Sequence, residues 1–316
     1  MTMPIVERPF RFSLQEARAD SRRQWVDLVK RVDDAGFDML VTADHLHECL
    51  APLIPLVTAA EVSDRLRLGV MVLNNDFLHP ALLAREVATL DLLSDGRAEL
   101  GIGAGHAKPE YDAAGLPFDA ASTRVDRLEE AVQLLVRLLA GESVTHSGTH
   151  YDLAEARCSP LPVQRPLPML VGGTGRRVHR IAARHADAVG FTGLQIHADG
   201  RGAEPARFGS RFVDEDVEAL RTAAGARLPD LELQVLVQMV VVTDDPVGAA
   251  DEIRRQHFAS LDVDHVLDTP YLMVGTVDGL VEKLLRQRAR WGFCHYTVRK
   301  EALGHLDPVI AELAGR

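Results

Sequence analysis

Alternation of short apolar runs with amphipathic stretches is the feature of this 316-residue sequence that most restricts its fold. Short apolar runs bounded by turn residues are typical of buried strands, whereas apolar residues recurring every three or four positions indicate helices. Thr123–Ala140 shows the helical pattern and ends before Gly141, a stop signal. The predicted strands are Phe10–Leu14, Asp38–Thr42, Leu66–Leu73, Ala98–Ile102, Pro168–Val171, Ala188–Thr192, Leu233–Val242 and Cys294–Arg299.

Eight strands that alternate with helices predict a (β/α)8 TIM barrel, formed by residues 1–316 as a single domain. The long segments before Pro168 and before Leu233 predict insertions in the βα loops after strands 4 and 6. An open doubly wound sheet with a second domain is the alternative. In a barrel the active site is built at the carboxyl ends of the strands, so candidate residues are sought there.

Charge and composition exclude several classes of function. The net charge of -11 argues against nucleic-acid or anionic-membrane binding. No apolar run approaches the ~20 residues that span a bilayer, and Met1–Phe12 lacks a signal-peptide core. Cys49, Cys158 and Cys294 are too scattered for a disulfide framework or a thiolate zinc site. We therefore expect a cytoplasmic protein that holds any anionic ligand at a local site.

An acid and an imidazole follow strand 2 as Asp44-His45. Side by side at a strand end, they suit proton transfer, because histidine titrates near neutral pH. A helix-capping aspartate beside a surface histidine is the alternative. His45 and His47 also resemble the two-histidine pattern of metal-dependent barrel hydrolases. The lysine, histidine and aspartate ligands expected on later strands are not found in the sequence, so we predict no metal.

Strands 3 and 4 also end in residues suited to a flat ligand. Asn74 follows strand 3 and can bond the edge of a heterocycle or form a turn. Gly101, Gly103 and Gly105 alternate at the end of strand 4, which would let the backbone approach such a ligand closely. His106 comes next and is either a group in the barrel mouth or a loop histidine without a role.

A glycine-rich turn, Gly172–Gly175, joins strand 5 to a helical pattern. Backbone N–H groups at a helix N-terminus bind anions. Arg176 and Arg177 occupy the first helical turn, where the dipole favours acidic residues, and an anionic ligand would resolve that conflict. We predict a phosphate site; a tight turn with solvated arginines is the alternative.

Together these segments resemble the bacterial luciferase-like flavin and deazaflavin oxidoreductases nearly from end to end. The resemblance is closest to an actinobacterial branch that depends on coenzyme F420. It implies the barrel fold, a homodimer, and hydride transfer between F420 and a C=C, C=N or C–OH group of a small organic substrate. An FMN-dependent monooxygenase and a non-catalytic flavin-binding protein are the alternatives. The matching segments are Asp38–His45, Leu68–Leu73, Arg97–Gly105, Gly172–Arg176, Leu73–Leu93 and Tyr111–Phe118.

The resemblance also implies roles for individual residues. The cofactor ring would lie over a non-proline cis peptide between Met71 and Val72, with His45 facing the reactive ring atom. Sugar-phosphate dehydrogenases of this superfamily carry glutamate where His106 stands, which argues against glucose 6-phosphate oxidation and leaves His45 and His106 as the candidate catalytic proton donors. The anionic glutamyl tail of F420 could contact the loop Asp199–Arg211. The expected cofactor-binding residues are Asp44, Met71, Val72, Asn74, Gly105, Gly172, Gly173, Thr174, Gly175, Arg176 and Thr192.

Overall fold

The computed structural model describes residues 8–47 and 49–316. Each of the eight predicted strands overlaps a strand of one parallel sheet. The strands are β1 (Arg11–Gln15), β2 (Met39–Thr42), β3 (Arg67–Val70), β4 (Leu73–Asn74), β5 (Ala98–Gly103), β6 (Val144–Ser147), β7 (Asp152–Ala156), β8 (Met169–Gly172), β9 (Ala188–Phe191), β10 (Gln195–Ile196), β11 (Ala203–Glu204), β12 (Glu232–Leu236), β13 (Met239–Val242), β14 (Leu272–Gly275) and β15 (Phe293–Arg299).

The parallel sheet closes on itself. Its order is β3-β2-β1-β15-β12-β9-β8-β5, and pairing of β3 with β5 completes the ring. β4 continues the third position of the ring beyond a bulge at Met71-Val72 and pairs with β5. This closure confirms the (β/α)8 barrel and excludes the open doubly wound sheet.

Helices surround the barrel and bury their apolar faces against it. α5 buries Leu128, Val132, Leu135 and Leu139, which are residues of the predicted apolar stripe. α10 begins at a Thr276 cap, whose hydroxyl accepts a hydrogen bond from Gly279 N at 3.1 Å. The helices are α1 (Arg22–Asp34), α2 (Ile54–Val62), α3 (Pro80–Leu93), α4 (Lys108–Ala114), α5 (Ala121–Leu139), α6 (Arg176–His185), α7 (Ser210–Ala224), α8 (Pro246–His257), α9 (Val263–Asp268), α10 (Val277–Trp291) and α11 (Asp307–Leu313).

Additional elements follow three barrel strands rather than two. After β5 come α4, α5 and the β6–β7 hairpin, and because the hairpin follows α5 it belongs to the helix-to-strand connection. After β9 come the β10–β11 hairpin and α7. The third and unpredicted excursion follows β12 and contains β13, α8, α9, β14 and α10.

The predicted strand Leu233–Val242 is two strands. The chain leaves the barrel after β12, and Gln238 N donates a hydrogen bond to Tyr271 O at 2.8 Å. From there β13 pairs with β14 in a separate two-stranded parallel sheet. Apolar residues dominate on both sides of Gln238, and glutamine also occurs within β12 as Gln234, so the sequence pattern merged the two strands.

At the amino-terminal end of the barrel, charged side chains meet between strands. Arg11 on β1 contacts Glu99 on β5 at 2.7 Å and Glu232 on β12 at 3.0 Å. His295 on β15 bonds Glu232 through Nδ1 at 2.6 Å and Ser13 through Nε2 at 2.5 Å. This cluster joins four strands at the end of the barrel opposite the mouth.

No helix in the described ranges has the length and apolar character needed to cross a membrane.

Candidate active site

His45 follows the carboxyl end of β2 and lies in the mouth of the barrel, the opening formed by the carboxyl ends of the strands. Its Nδ1 is 2.6 Å from Oε1 of Glu110, which lies in the first turn of α4 behind Pro109. Glu110 is buried, whereas the His45 side chain is 42% exposed. With Nδ1 donating to the carboxylate, the free acceptor of a neutral His45 is Nε2. The pair therefore has the arrangement of an oriented general base.

His106 stands perpendicular to His45, with ring centroids 5.9 Å apart. It is reached by solvent, yet the surrounding protein desolvates it in part, and this desolvation, together with the neighbouring His45, lowers the pKa of His106. His106 is accordingly a neutral imidazole near pH 7. The structure thus brings together the two histidines that the sequence singled out.

Asp44 and Asn74 are joined by a hydrogen bond. Asp44 Oδ2 accepts from Asn74 N at 2.8 Å, and burial raises the pKa of the Asp44 carboxyl. The Asn74 side-chain oxygen accepts from Tyr111 OH at 3.1 Å and from Asp76 N at 3.1 Å. Its amide nitrogen has no partner in the part of the chain that the structure describes, which leaves it able to donate to a ligand.

The peptide between Met71 and Val72 is cis, as expected. Met71 O accepts from Gln15 Nε2 at 2.7 Å, and Met71 N donates to Thr42 O at 2.9 Å. A Cβ at Gly103 would lie 2.8 Å from Val72 Cγ2, and one at Gly172 would lie 2.9 Å from Val72 Cγ1. These two glycines therefore make room for the Val72 side chain.

The structure also explains why residue 105 is a glycine. Its φ is +71°, and a Cβ there would collide with Tyr111 OH and with the Asn74 side chain. The sequence pattern attributed these alternating glycines to close approach of a ligand. The structure shows that Gly103 and Gly105 accommodate neighbouring side chains, whereas a Cβ at Gly101 would collide with the backbone oxygen of Val70.

The predicted phosphate turn lies between β8 and α6. Gly173 and Gly175 have φ values of +147° and +107°, and a Cβ at Gly175 would have no neighbour within 4 Å. α6 begins without a side-chain cap and without an acidic residue in its first turn. Unused N–H groups in an open turn fit a phosphate.

The two arginines of this turn behave differently. Arg177 pairs with Asp126 on α5. Arg176 is exposed and makes no ion pair within the described ranges. Thr192 follows β9, the neighbour of β8, and is half-buried. The arrangement fits the phosphate end of a flavin-type cofactor, with Thr174 in the same turn.

The arginines of the loop Asp199–Arg211 are engaged within the protein. Arg207 makes bonds of 3.1 and 2.7 Å to Asp216, and Arg201 bonds Asp112 at 3.1 Å. Arg211 lies over the ring of Phe212. A role of this loop toward a cofactor tail stays a prediction.

No group of three or more His, Cys, Asp and Glu in the described part of the chain is placed to hold a metal ion. His47 is exposed beside His45.

Two residues of the mouth were not predicted. Glu110 lies 65 positions from His45, and a spacing of that size carries no signal. Arg299 ends β15 and was included in a predicted strand without a functional role. Its charge at the carboxyl end of a barrel strand was a signal that could have been used.

Comparison with known proteins identifies relatives of this chain. A curated relative from Beutenbergia cavernae, an F420-dependent glucose-6-phosphate dehydrogenase, is 33% identical over 234 residues, covering 71% of this chain and 65% of the relative. The match thus spans slightly less than two thirds of that relative's length.

Solved structures share the fold. An F420-dependent secondary alcohol dehydrogenase in complex with an F420-acetone adduct superimposes with a TM-score of 0.75 at 17% identity, covering 97% of this chain and 98% of that one. The monooxygenase RslO1 from Streptomyces bottropensis gives 0.74 at 23% identity, covering 96% and 98%. A family model described as luciferase-like monooxygenase matches residues 6–292, and the chain therefore belongs to the luciferase-like monooxygenase family.

Proposed function

We propose that this protein is an oxidoreductase that transfers hydride between coenzyme F420 and a C=C, C=N or C–OH group of a small organic substrate. The observation that carries the proposal is the His45–Glu110 pair, 2.6 Å apart, facing His106 in the barrel mouth. The names of the curated relative and of one structural neighbour support F420 as the cofactor.

The proposed binding residues divide between two ends of the mouth. Gly175 and Arg176 offer backbone N–H groups and a cation to a phosphate, and Gly173, whose own N–H donates to Gly190 O at 3.3 Å, leaves room for it by having no side chain. Asp44 and Asn74 offer polar atoms to the ring edge or the ribityl chain at the other end. When bound, the deazaflavin supplies or accepts the hydride, and the protein orients the reactants.

Proton transfer falls to the histidines. His45 Nε2 takes a proton from a substrate hydroxyl during oxidation, or returns one during reduction, while Glu110 fixes the ring through Nδ1. His106, neutral near pH 7, is the second candidate proton donor or acceptor. We place the cofactor ring over Met71 and Val72, whose peptide bond is cis.

The test is side-by-side titration of the purified, cofactor-free protein with F420 and with FMN, followed by fluorescence. We expect micromolar binding of F420 and binding of FMN at least tenfold weaker. Tight binding of FMN alone would support the reduced-flavin monooxygenase instead. Binding of F420 without turnover of any hydride acceptor or donor would support a non-catalytic flavin-binding protein, and no binding of either cofactor would refute the proposal.

The proposal includes a cytoplasmic homodimer. Three free cysteines suit a reducing compartment. Ile54 on α2 and Leu82 on α3 are exposed by 70% and 49%, and such apolar side chains suit self-association. Light scattering on the purified protein measures the oligomeric state directly.

A further inference from the structure

Arg299 is a cation at the carboxyl end of the last barrel strand. The register of β15 with β1 places it opposite Gln15, at the level of the mouth. Its guanidinium donates one hydrogen bond to Gln15 Oε1 and one of 3.4 Å to Gln238 Oε1. Within residues 8–47 and 49–316, no carboxylate oxygen lies within ion-pair distance of it.

Two amide oxygens do not neutralise a guanidinium. A partly buried charge is costly unless a counter-charge or a full set of hydrogen bonds accompanies it. Burial lowers the pKa of Arg299, in keeping with this desolvation. By contrast Arg11, at the other end of the barrel, has two carboxylates.

Three N–H groups of Arg299 have no hydrogen-bond partner among the described residues. A guanidinium carries five N–H donors, and Arg299 uses two of them. None of its nitrogens is both buried and without a partner. Its Nε, which has no partner among the described residues, is therefore reached by solvent, so that an anion can approach it.

Arg299 is also close to the proposed reaction site. Gln15 accepts from Arg299 through Oε1 and donates to Met71 O at 2.7 Å through Nε2. The side-chain amide of Gln15 thus connects the Arg299 guanidinium to Met71 O at the bulge. β1 lies between β15 and β2, so Arg299 is two strand spacings, about 10 Å, from the strand that ends before His45.

The charges of Glu301 and Glu16 partly oppose the lowering of the Arg299 pKa by burial, but among the described residues neither carboxylate forms an ion pair with Arg299. Glu16 follows β1, but its Oε2 pairs with Lys300 at 3.1 Å and its Oε1 accepts from the backbone N–H groups of Ala17 and Arg18. Lys300 is therefore paired with a carboxylate, whereas the adjacent Arg299 is not. The chain as a whole has a net charge of -11, so Arg299 is a local exception.

We propose that Arg299 binds an oxyanion group of the substrate, so that the substrate class is a small hydroxy, oxo or unsaturated compound bearing a carboxylate or a phosphate. The inference rests on the proposed function, since it places the reacting carbon of such a compound at His45. A planar guanidinium suits both oxyanions because it can offer two parallel N–H groups.

The experiment measures binding with matched pairs of probes. Lactate is compared with 2-propanol, and glucose 6-phosphate with glucose, by calorimetric titration of the cofactor-free and the F420-loaded protein. We expect one anionic probe to bind at least tenfold more tightly than its neutral partner, and which pair shows the preference distinguishes carboxylate from phosphate. Arg299→Gln should remove the preference, and Arg299→Lys should keep part of it.

Lys300→Gln is the matched control, because that cation is already paired with Glu16. It should retain the preference, and F420 affinity in all three variants should stay within about threefold of wild type, which also shows that they fold. Equal binding of anionic and neutral probes, an unchanged preference in Arg299→Gln, or an equal loss in Lys300→Gln would each overturn the proposal. Failure to bind F420 would refute the proposed function alone, because the titration without cofactor still reports on Arg299.

Discussion

Glu110 determines which nitrogen of His45 can act. The carboxylate holds Nδ1 at 2.6 Å, so the ring cannot present that atom to a substrate. The same residue is buried in the first turn of a short helix that begins at Lys108. The orientation of His45 therefore depends on where α4 begins as well as on β2.

Replacement of His45 by alanine tests its proton-transfer role. We expect turnover to fall by roughly 10²–10⁴, the usual contribution of a general acid or base. F420 affinity should change by no more than a few-fold, since the predicted phosphate site is on another element. Steady-state kinetics with a separate F420 titration measures both, and wild-type turnover would remove His45 from the mechanism.

The substitution Glu110→Gln removes the negative charge of residue 110 and keeps its ability to hydrogen-bond His45. The amide can still bond Nδ1 but cannot stabilise a protonated ring, so turnover should fall roughly tenfold and the pH–rate profile should move to lower pH. Glu110→Asp, which keeps the charge, should restore part of the activity. A profile identical to wild type in Glu110→Gln would show that Glu110 has only a packing role.

Lys283 gives a pH dependence of stability that is independent of the active site. It is buried in α10, its Nζ donates to Leu272 O at 2.7 Å, and burial lowers its pKa to about 7. The unfolded chain, with an ordinary lysine pKa near 10.5, binds the extra proton between pH 7 and pH 10.5. Stability attributable to this group therefore rises with pH across that window, by at most about 1.4 kcal/mol per pH unit.

Lys283→Met should remove this rise. Denaturant unfolding at pH 7.5 and pH 9.5 measures the free energy of unfolding for both proteins. We expect the variant to gain most over wild type at the lower pH, and the difference to shrink at the higher pH. A constant difference between the two pH values would contradict the shifted titration.

Several candidate active-site residues could be predicted singly from the sequence, but their hydrogen-bond partners could not. Asp44, His45, Asn74 and His106 were found because each follows a predicted strand, and strand ends meet in a barrel. Glu110 lies inside a helix, and its contact with His45 depends on how a loop returns over the mouth, which local patterns do not encode.

At the scale of elements, the turn between β8 and α6 gives the clearest agreement between sequence and structure. Strand, glycine turn and helix appear in the predicted order, because glycine is required where φ is positive. The division of Arg176 and Arg177 into one exposed and one paired residue was not predictable, since it depends on where Asp126 lies on α5.

A pair of substitutions at Gly173 tests the phosphate site. Both Gly173→Ala and Gly173→Asp place a side chain at a φ of +147°, so they share the same backbone cost. Only aspartate adds a negative charge beside the helix N-terminus. We expect alanine to weaken F420 binding modestly and aspartate to weaken it at least tenfold further. Equal affinities of the two variants would contradict an anion site.

The prediction of one strand over Leu233–Val242 failed for an identifiable reason. β12 and β13 are separated only by Val237 and Gln238, and both strands are rich in apolar residues. Burial in two different sheets produces the same residue types as burial in one. Length was the available clue, because the predicted Leu233–Val242 exceeds the usual five or six residues of a strand.

At the scale of the whole molecule, the two ends of the barrel differ in how their charged side chains are paired. The mouth holds the histidines and Arg299, whose charge is not neutralised by a carboxylate. The opposite end holds Arg11 between Glu99 and Glu232, and the arginine and histidine contacts of Glu232 hold the pKa of its carboxyl below the usual range despite burial. Stability from Glu232 is therefore present near neutral pH and is lost as the pH falls below about 4.5 toward its depressed pKa.

Arg11→Met tests this division. Removing the guanidinium takes a shared partner from two largely buried carboxylates, although Glu99 keeps Arg67 and Glu232 keeps His295. The loss of charged hydrogen bonds of this kind costs about 1.5–3 kcal/mol. Denaturant unfolding at pH 7 should show a loss of this size. Arg23→Met is the matched control, because Arg23 is 92% exposed and lies 3.7 Å from Asp27, and we expect a change within about 1 kcal/mol.

F420 affinity of the folded Arg11→Met protein should equal that of wild type, since the cluster lies at the end of the barrel away from the mouth. Fluorescence titration at a temperature well below the unfolding transition makes the comparison. A loss of affinity without a loss of stability would place Arg11 in the functional machinery, and an equal loss of stability in Arg23→Met would show that the buried cluster has no special role. Arg299 in the mouth and His295 in the cluster lie on the same strand, β15. The cluster at one end of the barrel therefore stabilises a strand whose other end contributes to the mouth.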